Sequence, residues 1–420
     1  MPDIIAKSDA VYAYEIVKRI CNEVGPGLPG TPQERERADN IKKELVSHLG
    51  TDNVAVEEFT FAPEPFVGSY RIGAVFTLIA AILSISLEIS TPIAPFSIAI
   101  TALAFSITTV LVFFVEFFFD LEFIDPLFKK KKSINVVGRL RKTQTTEVKR
   151  LLIFSGHHDS ALEFTWLRLF GYGFLVVAVT IILGFLAMLA VTITQLVGLI
   201  TGNMFLVHLG ISEWILLVYP ILPSIVFALF FADGRKNGGN VPGAADNLAA
   251  SALTVALCRF LVKNPSYIPA DTEIRFISFG SEEAGLRGSR RYVKKHVEEL
   301  KQLHTRVLNF ETVAHPEIVI LSSDVNGTVK HSPEIVESVA RAAERAQVPY
   351  RIKPASSGVG TDAAPFSRAG IEATSLLPFK IPQQLVAFYH QKRDNPEILT
   401  IEPLLNVLKV SFEWARKGSE

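Results

Sequence analysis

The chain has 420 residues, enough for two or three domains of ordinary size, and its 42 Lys plus Arg balance 42 Asp plus Glu. Zero net charge implies no nucleic-acid or other polyanion partner. Two cysteines, Cys21 and Cys258, do not make a disulfide scaffold, while 49% hydrophobic residues and a mean hydropathy of +0.31 are too apolar for a purely soluble enzyme.

In chain order, residues 8–24 read as a helix, with Ser8 as the N-cap. After the Gly/Pro-rich loop 25–32, Thr31-Pro-Gln-Glu34 opens a second helix to about Leu49 with capping-box spacing. Val54 to Phe61 alternates as a strand. The first nine residues lack the apolar core of a signal peptide. An apolar block follows from Ile72 to Phe119, with no Lys or Arg between Arg71 and Lys129. Its length suits two membrane spans, about 74–91 and 95–118, joined by a turn at Thr91–Pro95. Lys129–Lys132 closes the block.

Strands are predicted at 134–140 and 151–155, the latter running into Gly156-His-His-Asp-Ser160. A second apolar block, Leu169 to Phe231, carries spans at about 169–192 and 214–232. Gln195–Ser212 between them reads as a third span, a re-entrant piece or an interfacial helix. The soluble pattern then resumes. Helices fit 247–263, 283–301, 332–347 and 402–416; strands fit 273–279, 305–313, 317–322, 350–354 and 372–377. The fold class is therefore α/β, a mixed, mostly parallel sheet of about eight strands between helices, interrupted twice by transmembrane insertions. One discontinuous catalytic domain would comprise 1–66, 134–164 and 237–420, with insertions at 70–128 and 166–234.

If the soluble segments form one sheet, they share one side of the bilayer, and each block crosses an even number of times. Two plus two is the simplest count, with Gln195–Ser212 not crossing fully. Arg71, Lys129–Lys132, Arg168, Arg235 and Lys236 all lie on the sheet side, which makes that side cytoplasmic in a multi-pass membrane protein.

Polar residues gather at the ends of the apolar strands, where α/β sheets bind ligands. His157 and Asp159 follow strand 151–155; Glu282 and Glu283 follow 273–279; Glu311 ends 305–313. Asp246 precedes a helix, and Tyr389-His390 lies near the C-terminus. Adjacent carboxylates repel and desolvate badly, so the Glu-Glu pair calls for a cation. Two imidazoles and three carboxylates suit a pair of zinc ions, whose four charges three carboxylates and a hydroxide would cancel. Glu282 is then left over as general base.

Gly156-His-His-Asp-Ser, Gly243-Ala-Ala-Asp-Asn, Ser281-Glu-Glu-Ala-Gly-Leu-Arg-Gly-Ser, Asn309-Phe-Glu and Tyr389-His390 resemble the five motif blocks of the M28 metallopeptidases, zinc aminopeptidases and relatives that include glutaminyl cyclases. The resemblance implies that His157 and Glu311 hold one zinc, Glu283 and His390 the other, and that Asp246 bridges both. Asp159 would orient His157. Glu282 would take a proton from the shared water and pass it to the leaving amine. Tyr389 would donate to the oxyanion or serve as a core aromatic. The resemblance also implies a cis peptide at Asp246–Asn247. Asp394 reads equally as a cap or as a support for the ligands. His158, His296, His304, His315 and His331 read as non-ligands, and His208 as interfacial.

Glu311 stands where relatives usually carry Asp, which leaves one zinc as the alternative to two. Ala363 stands where relatives often have His, which alters the substrate pocket. Only about eight residues join Ser160 to the next span, a reach of at most about 29 Å, so the site is expected within about 30 Å of the bilayer. The activity expected is that of a membrane-anchored aminopeptidase acting on peptides, with membrane-proximal peptides as one option and soluble peptides as the other. The alternatives are a glutaminyl-cyclase-like acyltransferase and an inactive membrane scaffold. Side-chain preference and oligomeric state are not encoded legibly.

Overall fold

The structure is a computed structural model that describes residues 4–89, 94–142, 147–208, 211–233, 241–356 and 358–417, with backbone only at 88–89, 211–219 and 233. The chain divides into two compact units. One comprises 1–63, 129–163 and 234–420, and the other 64–128 and 164–233.

The first unit is built on eight strands: β1 (Val54–Phe61), β2 (Lys131–Arg141), β3 (Arg150–His157), β4 (Thr272–Phe279), β5 (His304–Phe310), β6 (Ile318–Leu321), β7 (Tyr350–Lys353) and β8 (Glu372–Leu377). They lie in the order β1-β2-β4-β3-β5-β8-β6-β7. The central four, β4, β3, β5 and β8, are mutually parallel. β2 joins antiparallel to β4, and β6 antiparallel to β8, so the sheet is mixed. Period-2 alternation sends the side chains of β3 to two cores. Leu152 and Phe154 pack under helices Lys7–Glu23, Pro32–Leu49, Ala249–Lys263, Pro333–Arg345 and Ile401–Lys417. Leu151 and Ile153 face the other way, with Tyr292 and Val293 of helix Arg287–Gln302 and with Phe366. Both faces of the sheet are thus covered, which is why Leu151–Phe154 of β3 is an unbroken apolar run.

Three boundaries differ from the sequence pattern, all at the same sheet edge. The helix expected at 283–301 begins only at Arg287, because Ser281 and Leu286 adopt left-handed backbone (φ 57° and 54°). The helix expected at 247–263 is regular only from Ala249, since Asp246 and Asn247 are non-helical. β5 stops at Phe310 rather than 313, leaving Glu311 just beyond the strand.

The second unit contains helices Pro65–Ile89, Pro95–Phe113 with a π-helical turn to Phe118, Phe174–Thr201 and Ile211–Leu229. Pro65–Leu87, Pro95–Phe118 and Thr165–Thr201 are long and apolar enough to cross a membrane by length and composition. Ala244–Lys263 in the first unit also meets that criterion, but it is 89% buried there and is a core helix. The helix in the region of the third expected span does not end near 192; it starts at Phe174, after the Gly171–Gly173 turn, and continues through Gln195 to Thr201, where Gly202 (φ 69°) ends it. At 28 residues it is about 42 Å long, beyond the roughly 30 Å of a hydrocarbon core. Gln195 lies on this same helix rather than in a separate segment; its amide donates to the Ser84 and Val207 carbonyls at 3.2 and 3.4 Å. The first span begins at Pro65 rather than 74, and the predicted turn at 91–93 lies outside the described residues.

Candidate metal centre

Parallel β3, β4 and β5 put their C-terminal ends on one edge, and each delivers polar residues there. His157 is the last residue of β3, Glu282 and Glu283 follow β4, and Glu311 follows β5. Asp246 arrives ahead of helix Ala249–Lys263, and His390 from the segment after the short helix Gln383–Ala387. The peptide Asp246–Asn247 is cis.

These side chains meet. His157 Nε2 lies 3.6 Å from Glu311 Oε1 and 3.8 Å from Asp246 Oδ1. His390 Nε2 lies 3.1 Å from Asp246 Oδ2 and 3.4 Å from Glu283 Oε2. Asp246 therefore presents one oxygen to each histidine. His157, Asp246 and Glu311 form one donor triplet, and Asp246, Glu283 and His390 another. Donors at about 2.0–2.1 Å around a tetrahedral zinc stand roughly 3.4 Å apart, close to the spacings found. Glu282 Oε2 is 3.6 Å from His157 Nε2, beside both triplets.

The hydrogen bonding agrees with a cation site. Both ring nitrogens of His157, Glu283 Oε1 and Glu311 Oε2 are buried without a hydrogen-bond partner. Buried polar atoms are almost always satisfied, so this concentration at one place calls for an ion. The titration behaviour of the metal-free protein says the same. Burial pushes Glu282 and Glu283 well above the carboxylate range, and Glu311 to about 8. Burial also works against charge on His157, but Glu282 and then Asp159 outweigh it and hold the imidazole well above its usual value. Asp246 stays below its ordinary value, because the adjacent His390 imidazole outweighs the effect of burial.

The surrounding contacts fix the donors in place. Asp159 Oδ1 is 3.4 Å from His157 Nδ1. Its carboxylate also accepts the backbone N–H groups of Glu282 and Glu283, both at 3.0 Å, and this is what holds those residues out of the following helix. Asp394 accepts from the backbone of Ala245 (2.7 Å) and Asp246 (3.0 Å), so it supports the bridging residue. The Asn247 amide donates to the Phe310 carbonyl, tying the Asp246 turn to the end of β5. The Tyr389 ring stacks on His390 at 4.0 Å. Burial, followed by the charge of Asp246 and Glu283, keeps the Tyr389 phenol protonated.

Neighbouring histidines lie elsewhere. His158 is fully buried, contacts Ser278 Oγ through Nδ1 at 2.8 Å, and burial drops it to about 3, so it is a neutral packed residue. His296 pairs with Glu57, and His331 contacts Ser367 and Asp324. Four residues near the site escape sequence reasoning. Thr312 Oγ1 is 3.3 Å from Asp246 Oδ1 and 3.4 Å from Glu311 Oε1. Asp362 is fully buried, and burial, only partly offset by His157 and the Ser289 hydroxyl, lifts it to about 7. Glu34 and Arg37 are buried in the second helix. Only Thr312, adjacent to a candidate ligand, had a local signal.

Residues 231–415 match the family model for Peptidase family M28. Over 167 residues the chain is 32% identical to the aminopeptidase YwaD of Bacillus subtilis, a match covering 39% of this chain and 35% of that protein, so it spans about a third of the relative's length. The zinc aminopeptidase BSAP of Bacillus subtilis superposes with a TM-score of 0.53 at 15% identity, covering 96% of this chain and 94% of that one. An aminopeptidase from Aneurinibacillus sp. strain AM-1 gives 0.54 at 15% identity, with 98% and 94% covered. A glutaminyl cyclase from Fimbriiglobus ruber gives 0.54 at 14% identity, with 99% and 96% covered. At these identities the structural matches establish the fold alone, the α/β fold of zinc aminopeptidases.

Proposed function

We propose that the chain is a zinc-dependent aminopeptidase held in a membrane by its second unit. One observation carries this reading. Two donor triplets share Asp246, and a carboxyl that belongs to neither His–Asp pair, Glu282, stands 3.6 Å from His157. His157 and Glu311 would hold one zinc, Glu283 and His390 the other, and Asp246 would bridge them. Bound zinc supplies Lewis acidity toward a peptide carbonyl and an acidified water. Glu282 would take a proton from the attacking water and return it to the leaving amine, a role that its burial favours by raising its proton affinity. Protonated Tyr389 is suited to donate to developing negative charge beside His390. Asp159 orients both His157 and the Glu282–Glu283 backbone.

The apolar helices and the placement of Lys and Arg on the sheet side support a multi-pass protein with a cytoplasmic catalytic unit. The short tether after Ser160 supports peptides at the bilayer surface as substrates. The test is to assay the detergent-solubilised chain for bound zinc, free amino acid from aminoacyl substrates, and pyroglutamate from glutaminyl peptides. Zinc with amino-acid release supports the reading. Pyroglutamate would replace it with a cyclase, and no zinc-dependent product with a scaffold. Equal cleavage of soluble and lipid-tethered peptides after reconstitution would remove the surface preference.

A further inference from the structure

Glu282 and Glu283 sit on backbone that no regular element supports. β4 has ended at Phe279, the next helix has not begun, and Ser281 is left-handed at φ 57°. Asp159 grips the two N–H groups that follow. A second grip comes from the first turn of helix Pro32–Leu49. Glu34 Oε1 accepts from Ser281 Oγ at 2.7 Å and from Ser133 Oγ at 2.8 Å, while Oε2 accepts from the Gly30 N–H at 2.6 Å. The turn closes directly on this carboxyl. A Cβ on Gly280 would meet Ser133 Oγ at 2.4 Å and Glu34 Oε1 at 3.2 Å.

Glu34 occupies the capping-box position, where a glutamate is ordinarily at the surface. Here it is 1% exposed. The helix start does not require that burial. Thr31 Oγ1 already accepts the Glu34 N–H at 3.2 Å. Taking a carboxylate out of water costs several kcal/mol unless its contacts return it. One turn on, fully buried Arg37 donates to the carbonyls of Gly25, His158 and Pro242, so the same helix also holds backbone adjoining His157.

We propose that Glu34 is a positioning residue of the metal centre, fixing Glu282 and Glu283 through the Ser281 hydroxyl. The inference rests on the reading of Glu283 as a zinc ligand and Glu282 as the base. It makes the N-terminal segment, which lies outside the stretch matched to the peptidase family, part of the working site.

Ser281→Ala, Glu34→Gln and the double variant, all in the full chain, test it. Each single change is expected to weaken zinc affinity about 10-fold in competition with a chelator, as loss of contacts behind a ligand typically does. Each should also lower kcat on an aminoacyl substrate about 10-fold or more, with KM within about twofold. The double variant should be no worse than the more damaging single one, because Ser281 acts through the side chain at position 34. Unchanged zinc affinity and kcat in Ser281→Ala, or losses that simply add in the double variant, would overturn the proposal. If Glu34→Gln does not fold, Ser281→Ala decides alone. If the parent binds zinc but releases no amino acid, the aminopeptidase reading falls while the affinity measurement still decides this one.

Discussion

The two units of this chain solve opposite solvation problems. In the first, large apolar side chains are inside, and a cluster of buried polar atoms without hydrogen-bond partners, on His157, Glu283 and Glu311, lies at one end of the sheet, with others such as those of Thr305 and Ser411 scattered elsewhere. In the second, the surface is the apolar part. Among the described residues, every exposed large apolar side chain except Val11, Val56, Ile352 and Ile381 lies in the second unit. Its hydroxyls mostly turn back onto their own helices, as Thr101, Thr108, Thr180 and Thr194 do by donating to the carbonyl four residues earlier. Helices that satisfy their backbone internally and present apolar side chains outward suit lipid; a sheet edge with orphaned donors and acceptors suits ions. The contrast teaches that the deficit of hydrogen bonds in the first unit is local and chemical, and the surplus of exposed apolar area in the second is environmental.

Removing zinc should break the first half of that comparison most completely. Chelation is expected to abolish turnover, and added zinc to restore it. Binding should also release protons. Glu311 holds its proton up to about pH 8, so an ion that it ligates must displace that proton below about pH 8, and the raised Glu283 carboxyl acts in the same direction. Calorimetry in buffers of different ionisation enthalpy should show release at pH 6.5 that fades by pH 9. No release at the lower pH would contradict the raised carboxyls.

Glu282→Gln comes next. It should leave zinc content intact and reduce kcat by roughly 10³-fold or more. A variant with parental kcat would remove Glu282 from the chemistry.

The second unit is tested by Leu183→Arg, at a position 53% exposed within helix Phe174–Thr201. A charge near the middle of a span costs about 3 kcal/mol on insertion scales. Recovery in the membrane fraction should fall, while Ile352→Arg, on the exposed β7 of the first unit, should leave it unchanged. Equal behaviour of the two would erase the distinction between the surfaces.

Asp362→Asn gives the smallest effect. In the metal-free protein burial raises the Asp362 carboxyl to about 7, above its unfolded value near 4. An acid whose folded pKa is raised lowers stability as pH climbs through that window and keeps it lowered above. The Asn variant should therefore be more stable than the parent at pH 8, by roughly 2 kcal/mol once coupling to its neighbours is discounted, and equal to it near pH 4. Denaturant midpoints at the two pH values would show it. A parent as stable as the variant at pH 8 would contradict the raised Asp362 carboxyl.

Much of this was written locally. Alternation marked β1 and short apolar runs marked β3 and β4, with β8 also placed within a residue or two, and uninterrupted apolar stretches marked the second unit, because side-chain pattern and charge depletion are properties of short windows. The identities of His157, Asp246, Glu283, Glu311 and His390 were legible as donor types at strand ends. The sequence could not show that Glu282 and Glu283 stay out of the next helix, or that Glu34 leaves the surface to reach a serine 247 positions away. Local propensity extends a helix back through Glu283; hydrogen bonds donated to Asp159 and Glu34 hold the segment otherwise. Those contacts exist only after the sheet has assembled, and no short window of residues contains both ends of them.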